Sequence, residues 1–382
     1  MNAPDLAAEL DSLGSDLLLR LAHHGFSRER FLSLARTLRE GTPQERRDTR
    51  NRVAGPARAP APEELPTLPP PGPELDRLRA LGRDALARGE VALCVLAGGM
   101  ATRMGGVVKA LVEAFDGKTF LELRLAENAA VSKRAGRDVP LWLMTSDATE
   151  GPIKAALAEA KAPAHVATFV QDLALRLTSD GALFKDDEGR PSTYAPGHGD
   201  LPDAIRRSGL LDAFLAKGGK VVWIANLDNL GATIDEAVLG FFLDTQKDVM
   251  VEVCEKQKGD RGGIPVHAGG KLQVLEEFRL PKDFDAQTVR VFNTNTFLVR
   301  AEPLAKAEIH WNWFEVEKKV DDRPAVQFER LLQELTATLP SAYLRIPREG
   351  DASRFEPVKD NAELEARRDR IRAIAKARGF SG

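Results

Sequence analysis

The sequence predicts an α/β protein with a mixed, mostly parallel central sheet flanked by helices, preceded by a helical segment and ending in a short helical one. Three observations predict it. From Glu90 onward, short apolar runs alternate with helical stretches, the pattern of a sheet with crossover helices. A glycine-rich turn closes the first of those runs. The chain's 382 residues, 43% of them hydrophobic, are enough for a substantial core.

The elements follow in order. Apolar residues recur at helical spacing from Ala7 to Glu40, which predicts two short helices joined near Gly25. Eight prolines between Gly55 and Pro73 deny backbone donors and favour extended chain, so this stretch is expected to be a linker or a strap on another surface. A charged helix follows from Glu74 to Arg88. Strands are predicted at Val91–Leu96, Leu141–Thr145, His165–Val170, Lys220–Ala225, Val249–Cys254 and Val291–Val299. Between them fall helices at Thr119–Arg134, Glu150–Ala160, Pro202–Lys217 and Asp235–Gln246. Gly262–Phe278, with Gly269 and Gly270 between apolar alternations, is expected to form a hairpin inserted in the sheet. Pro324–Leu339 and Ala362–Ala377 are predicted helical. The expected division is residues 1–54 helical, 55–73 linker, 74–323 the α/β domain and 324–382 a C-terminal helical segment that contributes a strand at residues 354–359.

Composition excludes several functions. Lys and Arg number 54 against 57 Asp and Glu, a formal net charge of -3, so no clustered basic field for nucleic acid is expected. No run approaches the roughly 18–20 apolar residues of a membrane span. Asp5, Glu9 and Asp11 stand where an export signal would be basic and apolar, and a cytoplasmic location is expected. The two cysteines, Cys94 and Cys254, sit in separate apolar runs, which predicts neither a disulfide framework nor a cysteine-ligated metal.

Three motifs carry chemistry. The turn Gly98-Gly99-Met100-Ala101-Thr102-Arg103, continuing to Lys109, lets backbone N–H groups approach phosphate, with Arg103 and Lys109 supplying charge. It has neither the GxGxxG dinucleotide pattern nor a Walker ending, which argues against a nicotinamide enzyme. An ordinary glycine turn after a strand is the alternative reading. Asn226-Leu227-Asp228-Asn229 ends an apolar run, where a carboxylate can reach a cation held on phosphates, or can cap the turn that follows. Pro196-Gly197-His198-Gly199-Asp200 precedes a helix, and its glycines permit close approach by a planar ligand, although a loop histidine can equally be no more than exposed.

These motifs, in this order, resemble the UDP-sugar pyrophosphorylase family of the eukaryotic UTP–glucose-1-phosphate uridylyltransferase type, over about Glu90 to Asn361. Further similarities lie at Phe169-Val170-Gln171, at Ser179-Asp180-Gly181-Ala182-Leu183-Phe184 and at Val251-Glu252-Val253-Cys254-Glu255-Lys256. They continue at Glu276-Glu277-Phe278, Phe292-Asn293-Thr294-Asn295 and Arg354-Phe355-Glu356-Pro357-Val358-Lys359. The resemblance implies a Rossmann-like nucleotidyltransferase of the GT-A type that joins UTP and a sugar 1-phosphate with Mg²⁺. It places Mg²⁺ on Asp228 and charge compensation on Arg103, Lys109, Lys256 and Lys359. The nucleotide is expected at Gly98, Gly99, Gln171, Gly197 and His198, and the sugar at Asn226, Glu276, Glu277, Asn293 and Asn295.

Pro-Gly-His-Gly-Asp favours glucose 1-phosphate over N-acetylglucosamine 1-phosphate, whose enzymes carry Gly-Gly-Asn-Gly-Gly there. Galactose 1-phosphate is a further alternative. Ala101 replaces the family's third glycine, Val108 its proline, and the spacing to Lys109 is one residue shorter. These departures and the N-terminal helices with their proline strap suggest a catalytically silent UDP-sugar sensor as the rival. No counterpart of the family's C-terminal β-helix is expected in residues 360–382. The sequence does not indicate an oligomeric state. Packing on the catalytic domain is the preferred reading of the N-terminal helices, whose apolar faces must be buried.

Overall fold

The computed structural model describes residues 6–101 and 104–381; Arg103, expected at the polyphosphate, lies outside them. Seven apolar segments form the central sheet: β1 (Val91–Leu96), β2 (Leu141–Thr145), β3 (Val166–Val170), β4 (Val221–Asn226), β5 (Val249–Glu255), β6 (Val291–Arg300) and β7 (Ser341–Arg345). Their order is β7-β5-β6-β4-β1-β2-β3. All run parallel except β6, which is antiparallel to both neighbours. This reversal matters for the site. The C-terminal ends of β1 and β4 and the N-terminal end of β6 fall on one edge, where ligands of open α/β sheets collect.

Helices Phe120–Ala135, Glu150–Glu159 and Glu236–Thr245 match the predicted ones to within two residues. Thr119 and Glu122 form a reciprocal capping box at the start of the first, and left-handed Gly136 ends it. The expected helix Pro202–Lys217 is two, Leu201–Arg207 and Leu210–Ala216, because Gly209 takes a positive φ of 73° between them. Helices Pro73–Arg88 and Glu236–Thr245 touch backbone to backbone: a Cβ on Gly82 would lie 1.9 Å from the Glu236 carbonyl oxygen, and one on Gly240 would lie 1.9 Å from that of Leu78. Only glycine fits there.

The hairpin Ile264–Ala268/Lys271–Leu275 forms as expected, but as a separate ribbon rather than inside the sheet. Pro324–Leu339 is not one helix. Arg323–Glu329 pairs with Phe314–Val320 through a tight turn at Asp321 and Asp322, both at positive φ, and only Leu335–Thr338 is α-helical. Val326 and Phe328 share one face at strand period and are buried, whereas the apolar spacing further on suggested a helix. The edge strand β7 is a short apolar segment the sequence reading passed over. Residues 354–359, expected as a strand, are irregular. The helix Asn361–Ala377 matches its prediction.

Among the described residues, the stretch expected to hold two helices holds three, Leu6–Asp11, Ser15–His23 and Arg28–Thr37, and a fourth follows at Pro43–Asn51. Leu6, Leu10, Leu21, Phe31, Ala35 and Leu38 pack with Leu173, Leu175, Leu177, Leu183, Val326 and Phe328 in a second core, so these helices are docked, as their apolar faces require. Leu21→Ala is expected to cost about 2–5 kcal/mol, read as a lower urea midpoint, because it opens a cavity at a fully buried position. The proline-rich stretch is a strap: Arg58 bridges His267, Glu64 accepts from His267 at 2.9 Å, and Arg345 N–H donates to the Pro66 carbonyl.

Candidate active site

The turn after β4 is built from its carbonyls outward. Buried Arg124 donates to the backbone oxygens of Asn226 (2.6 Å), Leu227 (3.2 Å) and Asn229 (2.7 Å), and Glu127 at 2.5 Å balances its charge. Asn229 turns away from solvent. Its amide donates to the Arg354 carbonyl at 3.1 Å, and its carbonyl oxygen accepts from Glu356 N–H at 2.8 Å. The segment carrying Lys359 is thereby fastened to the turn. Arg354 is itself anchored on buried Glu252 at 2.6 Å, where burial raises the carboxyl's pKa against the pull of that guanidinium. Asp228 is left facing the cleft, its Oδ2 accepting from Lys109 Nζ at 2.6 Å and from Val358 N–H at 3.3 Å.

Ala101 lies extended in a two-residue ribbon with Val107, and among the described residues of the loop the positive φ values fall on Gly105 (88°) and Gly106 (74°). The methyl at 101 is therefore accommodated. Gly98 and Gly99 line the cleft. The Gly98 carbonyl accepts from Ser146 Oγ at 2.9 Å, and that of Ala97 from Thr149 Oγ1 at 3.1 Å. A Cβ on Gly98 would come within 3.0 Å of Gln171 Nε2, so the amide sits directly on the loop.

Gly197 and Gly199 press on the Arg330 backbone, where added Cβ atoms would lie 2.8 and 2.6 Å away. Arg330, which the sequence reading missed, is the hub of this end. Its guanidinium binds Asp200 (2.5 Å), Asp203 (2.5 Å) and Asp172 (2.9 Å) and stacks on Trp311 and Trp313. Burial raises the Asp172 and Asp200 pKa values against that cation, Asp200 to about 7. Tyr194 pins the loop by exchanging hydrogen bonds with both backbone groups of Phe328.

His198 lines the cleft and accepts from Leu332 N–H at its Nδ1, 2.9 Å away, so the neutral ring carries its proton on Nε2. Burial lowers its pKa to about 4. A lowered folded-state value means stability that is present above about pH 6.5 and lost as pH falls towards 4, worth up to about 3 kcal/mol. Asp200, with a raised value, has the opposite slope over that range. The free-energy difference between wild type and His198→Gln, measured by urea unfolding at several pH values, is expected to shrink from pH 7 to 4.5, and a flat difference would refute the assignment.

The remaining wall carries Glu276, Asn293, Thr294, Asn295 and Gln333. Asn295 adopts a positive φ of 58° next to a bulge in the β5–β6 ladder, and its amide donates to Asn226 Oδ1 at 2.8 Å. Its own Oδ1 and Gln333 Oε1 are buried acceptors without a partner among the described residues, as ligand hydroxyl donors would require. Gln333 Nε2 donates to Glu276 Oε1 at 2.6 Å, and burial raises the Glu276 pKa. Two expectations are corrected here. Glu277 is exposed and outside the cleft, and Lys256 does not line it, because its ammonium donates to the Ala286 carbonyl at 3.1 Å. Arg261, a cleft cation in the loop before the hairpin, was missed along with Gln333; the glycines around Arg261, Gly259, Gly262 and Gly263, were a signal for it, whereas Gln333 lies in no such motif.

The cleft, about 620 Å³, thus joins a glycine turn, a carboxylate flanked by lysines and a polar wall of amides and one carboxyl at the sheet's C-terminal edge. Such an arrangement at this edge of an α/β sheet is suited to holding a phosphorylated ligand. The family model for UTP–glucose-1-phosphate uridylyltransferase matches residues 74–371, and the chain belongs to that family. It is 31% identical over 319 residues to the barley (Hordeum vulgare) UTP–glucose-1-phosphate uridylyltransferase, covering 78% of this chain and 64% of the relative. It is 34% identical over 290 residues to the potato (Solanum tuberosum) protein of that name, covering 70% and 59%. The chain thus spans about three fifths of the length of these relatives.

Among solved structures, a mutant of the Leishmania major UDP-glucose pyrophosphorylase matches with a TM-score of 0.63 and 26% identity, over 79% of this chain and 70% of that one. The Trypanosoma brucei UDP-N-acetylglucosamine pyrophosphorylase shares the fold at a TM-score of 0.71 and 20% identity, over 94% and 85%. No described helix is long and apolar enough to cross a membrane.

Proposed function

We propose that this chain transfers a uridylyl group from UTP to glucose 1-phosphate, forming UDP-glucose and pyrophosphate. The observation that carries the reading is the convergence of Asp228, Lys109 and Lys359 on one cleft between the Gly98–Gln171 end and the amide-lined wall. Asp228 suits Mg²⁺: both hydrogen bonds it accepts among the described residues fall on Oδ2, which leaves Oδ1 for a hard cation. Bound there, Mg²⁺ would neutralise charge on the nucleotide phosphates.

The chain's own residues do the rest by position and charge. Gln171 and the Gly197–His198 loop hold the uracil edge, and backbone N–H groups around Gly98 and Gly99 meet the phosphates. Glu276, Asn293, Asn295 and Asn226 orient the sugar hydroxyls. The sugar phosphate oxygen then attacks the α-phosphorus in line, the bond to the β-phosphate oxygen breaks, and pyrophosphate leaves. Lys109 and Lys359 offset the charge that builds on the oxygens. No side-chain nucleophile is needed. Pro196-Gly197-His198-Gly199-Asp200 supports glucose over N-acetylglucosamine as the sugar.

Pyrophosphate release from UTP and glucose 1-phosphate tests the reading, run with Mg²⁺, with chelator and with N-acetylglucosamine 1-phosphate. Metal-dependent release at least tenfold faster with glucose 1-phosphate is expected. UTP binding without release from any sugar phosphate would replace the reading with that of a UDP-sugar sensor.

A further inference from the structure

Outside the cleft, His23 and His24 meet the turn that follows β2. One ligand atom each from His23, His24 and Glu150 lie within 4.8 Å of one another. His23 Nε2 is 3.9 Å from Glu150 Oε2, and His24 Nε2 is 3.5 Å from Asp147 Oδ1. His24 is buried, and its Nδ1 lies 3.2 Å from the Gln171 carbonyl oxygen, which can only accept. The neutral ring therefore donates from Nδ1 and offers the Nε2 lone pair, since the nearby Asp147 carboxylate already has Arg20 as its cation. A carbonyl that fixes the tautomer in this way is the usual support of a metal-binding histidine. Glu150 holds Lys154 through Oε1 and turns Oε2 to His23; Asp147 is paired with Arg20 at 2.5 Å.

We propose that His23, His24 and Glu150 bind a divalent transition-metal cation of the zinc class. Two imidazoles and a carboxylate select such a cation over Mg²⁺, which prefers an all-oxygen shell. Tetrahedral bonds of about 2.0–2.2 Å need the ligand atoms closer than they stand, and exposed His23 is free to close the gap by turning its ring. The site would clamp the N-terminal helices onto the nucleotide end of the cleft. His24 holds the Gln171 backbone, and the turn bearing Glu150 holds the Ala97 and Gly98 carbonyls through Thr149 and Ser146.

The test is metal binding by full-length, tag-free protein stripped with chelator, so it does not depend on the uridylyl-transfer reading. Titration with Co²⁺, followed by its visible absorption and by competition with Zn²⁺, is expected to show one equivalent bound. Affinity should fall about 100-fold in His23→Ala and at least about tenfold in Glu150→Gln. Asp228→Asn should leave it unchanged, and Zn²⁺ should raise the wild-type melting temperature but not that of His23→Ala. Absence of a stoichiometric site in the wild type, or equal affinity in wild type and both ligand variants, would overturn the proposal. His24 would then be a docking residue alone.

Discussion

Asp228→Asn is expected to lower turnover of UTP and glucose 1-phosphate about 10²–10³-fold, with the thermal melt moving by less than about 2 °C. The amide oxygen can still accept from Lys109 and from Val358 N–H, so the turn keeps its shape. What is removed is the negative charge that would hold a cation against the nucleotide phosphates. Arg124 and Asn229, which build the turn and fasten the 354–359 segment to it, are untouched. Steady-state pyrophosphate release beside a melting curve checks this. A turnover within about threefold of wild type would remove Asp228 from the chemistry, and a large drop in melting temperature would assign it to the scaffold.

Arg330→Met should be the most destabilising single substitution at the site, costing about 3–5 kcal/mol. Methionine replaces the packing against Trp311 and Trp313 but leaves buried Asp200 without its cation and Asp172 with only Arg207 (2.8 Å) and Arg30 (3.4 Å). Lysine would not restore it, since one ammonium cannot span three carboxylates as the guanidinium fork does. The loss should shrink as pH falls from 7.5 to 5, because the uncompensated Asp200 can then take up a proton. Urea unfolding at the two pH values tests both parts. A loss below about 1 kcal/mol at pH 7.5 would mean that the cluster is not held by Arg330.

Much of the frame was legible in the chain. Six of the seven sheet strands have boundaries within a residue or two of those predicted, and the inner ones among them, such as Val91–Leu96 and Val221–Asn226, are near-continuous apolar runs, since a strand buried on both faces has little choice of composition. The glycine turn, Asp228 and the Gly-His-Gly loop were legible too, because close approach to phosphate and a carboxylate at a strand end impose residue types locally. Other features depended on partners far along the chain. Arg330 looks like any surface arginine until three aspartates from another segment converge on it. Gln333 becomes a cleft residue only because a hairpin, mistaken for helix, delivers it to Glu276. Lys256 carried a family-like motif and is turned aside by the Ala286 carbonyl.

The sequence by itself determined the fold class, the edge of the sheet on which the cleft lies and the carboxylate that faces it, because these follow from local composition and spacing. Tertiary structure alone decided which cations and amides complete the cleft and how the N-terminal helices dock. Burial, long-range hydrogen bonds and charge pairing are made between residues more than a hundred positions apart, and no local pattern encodes them.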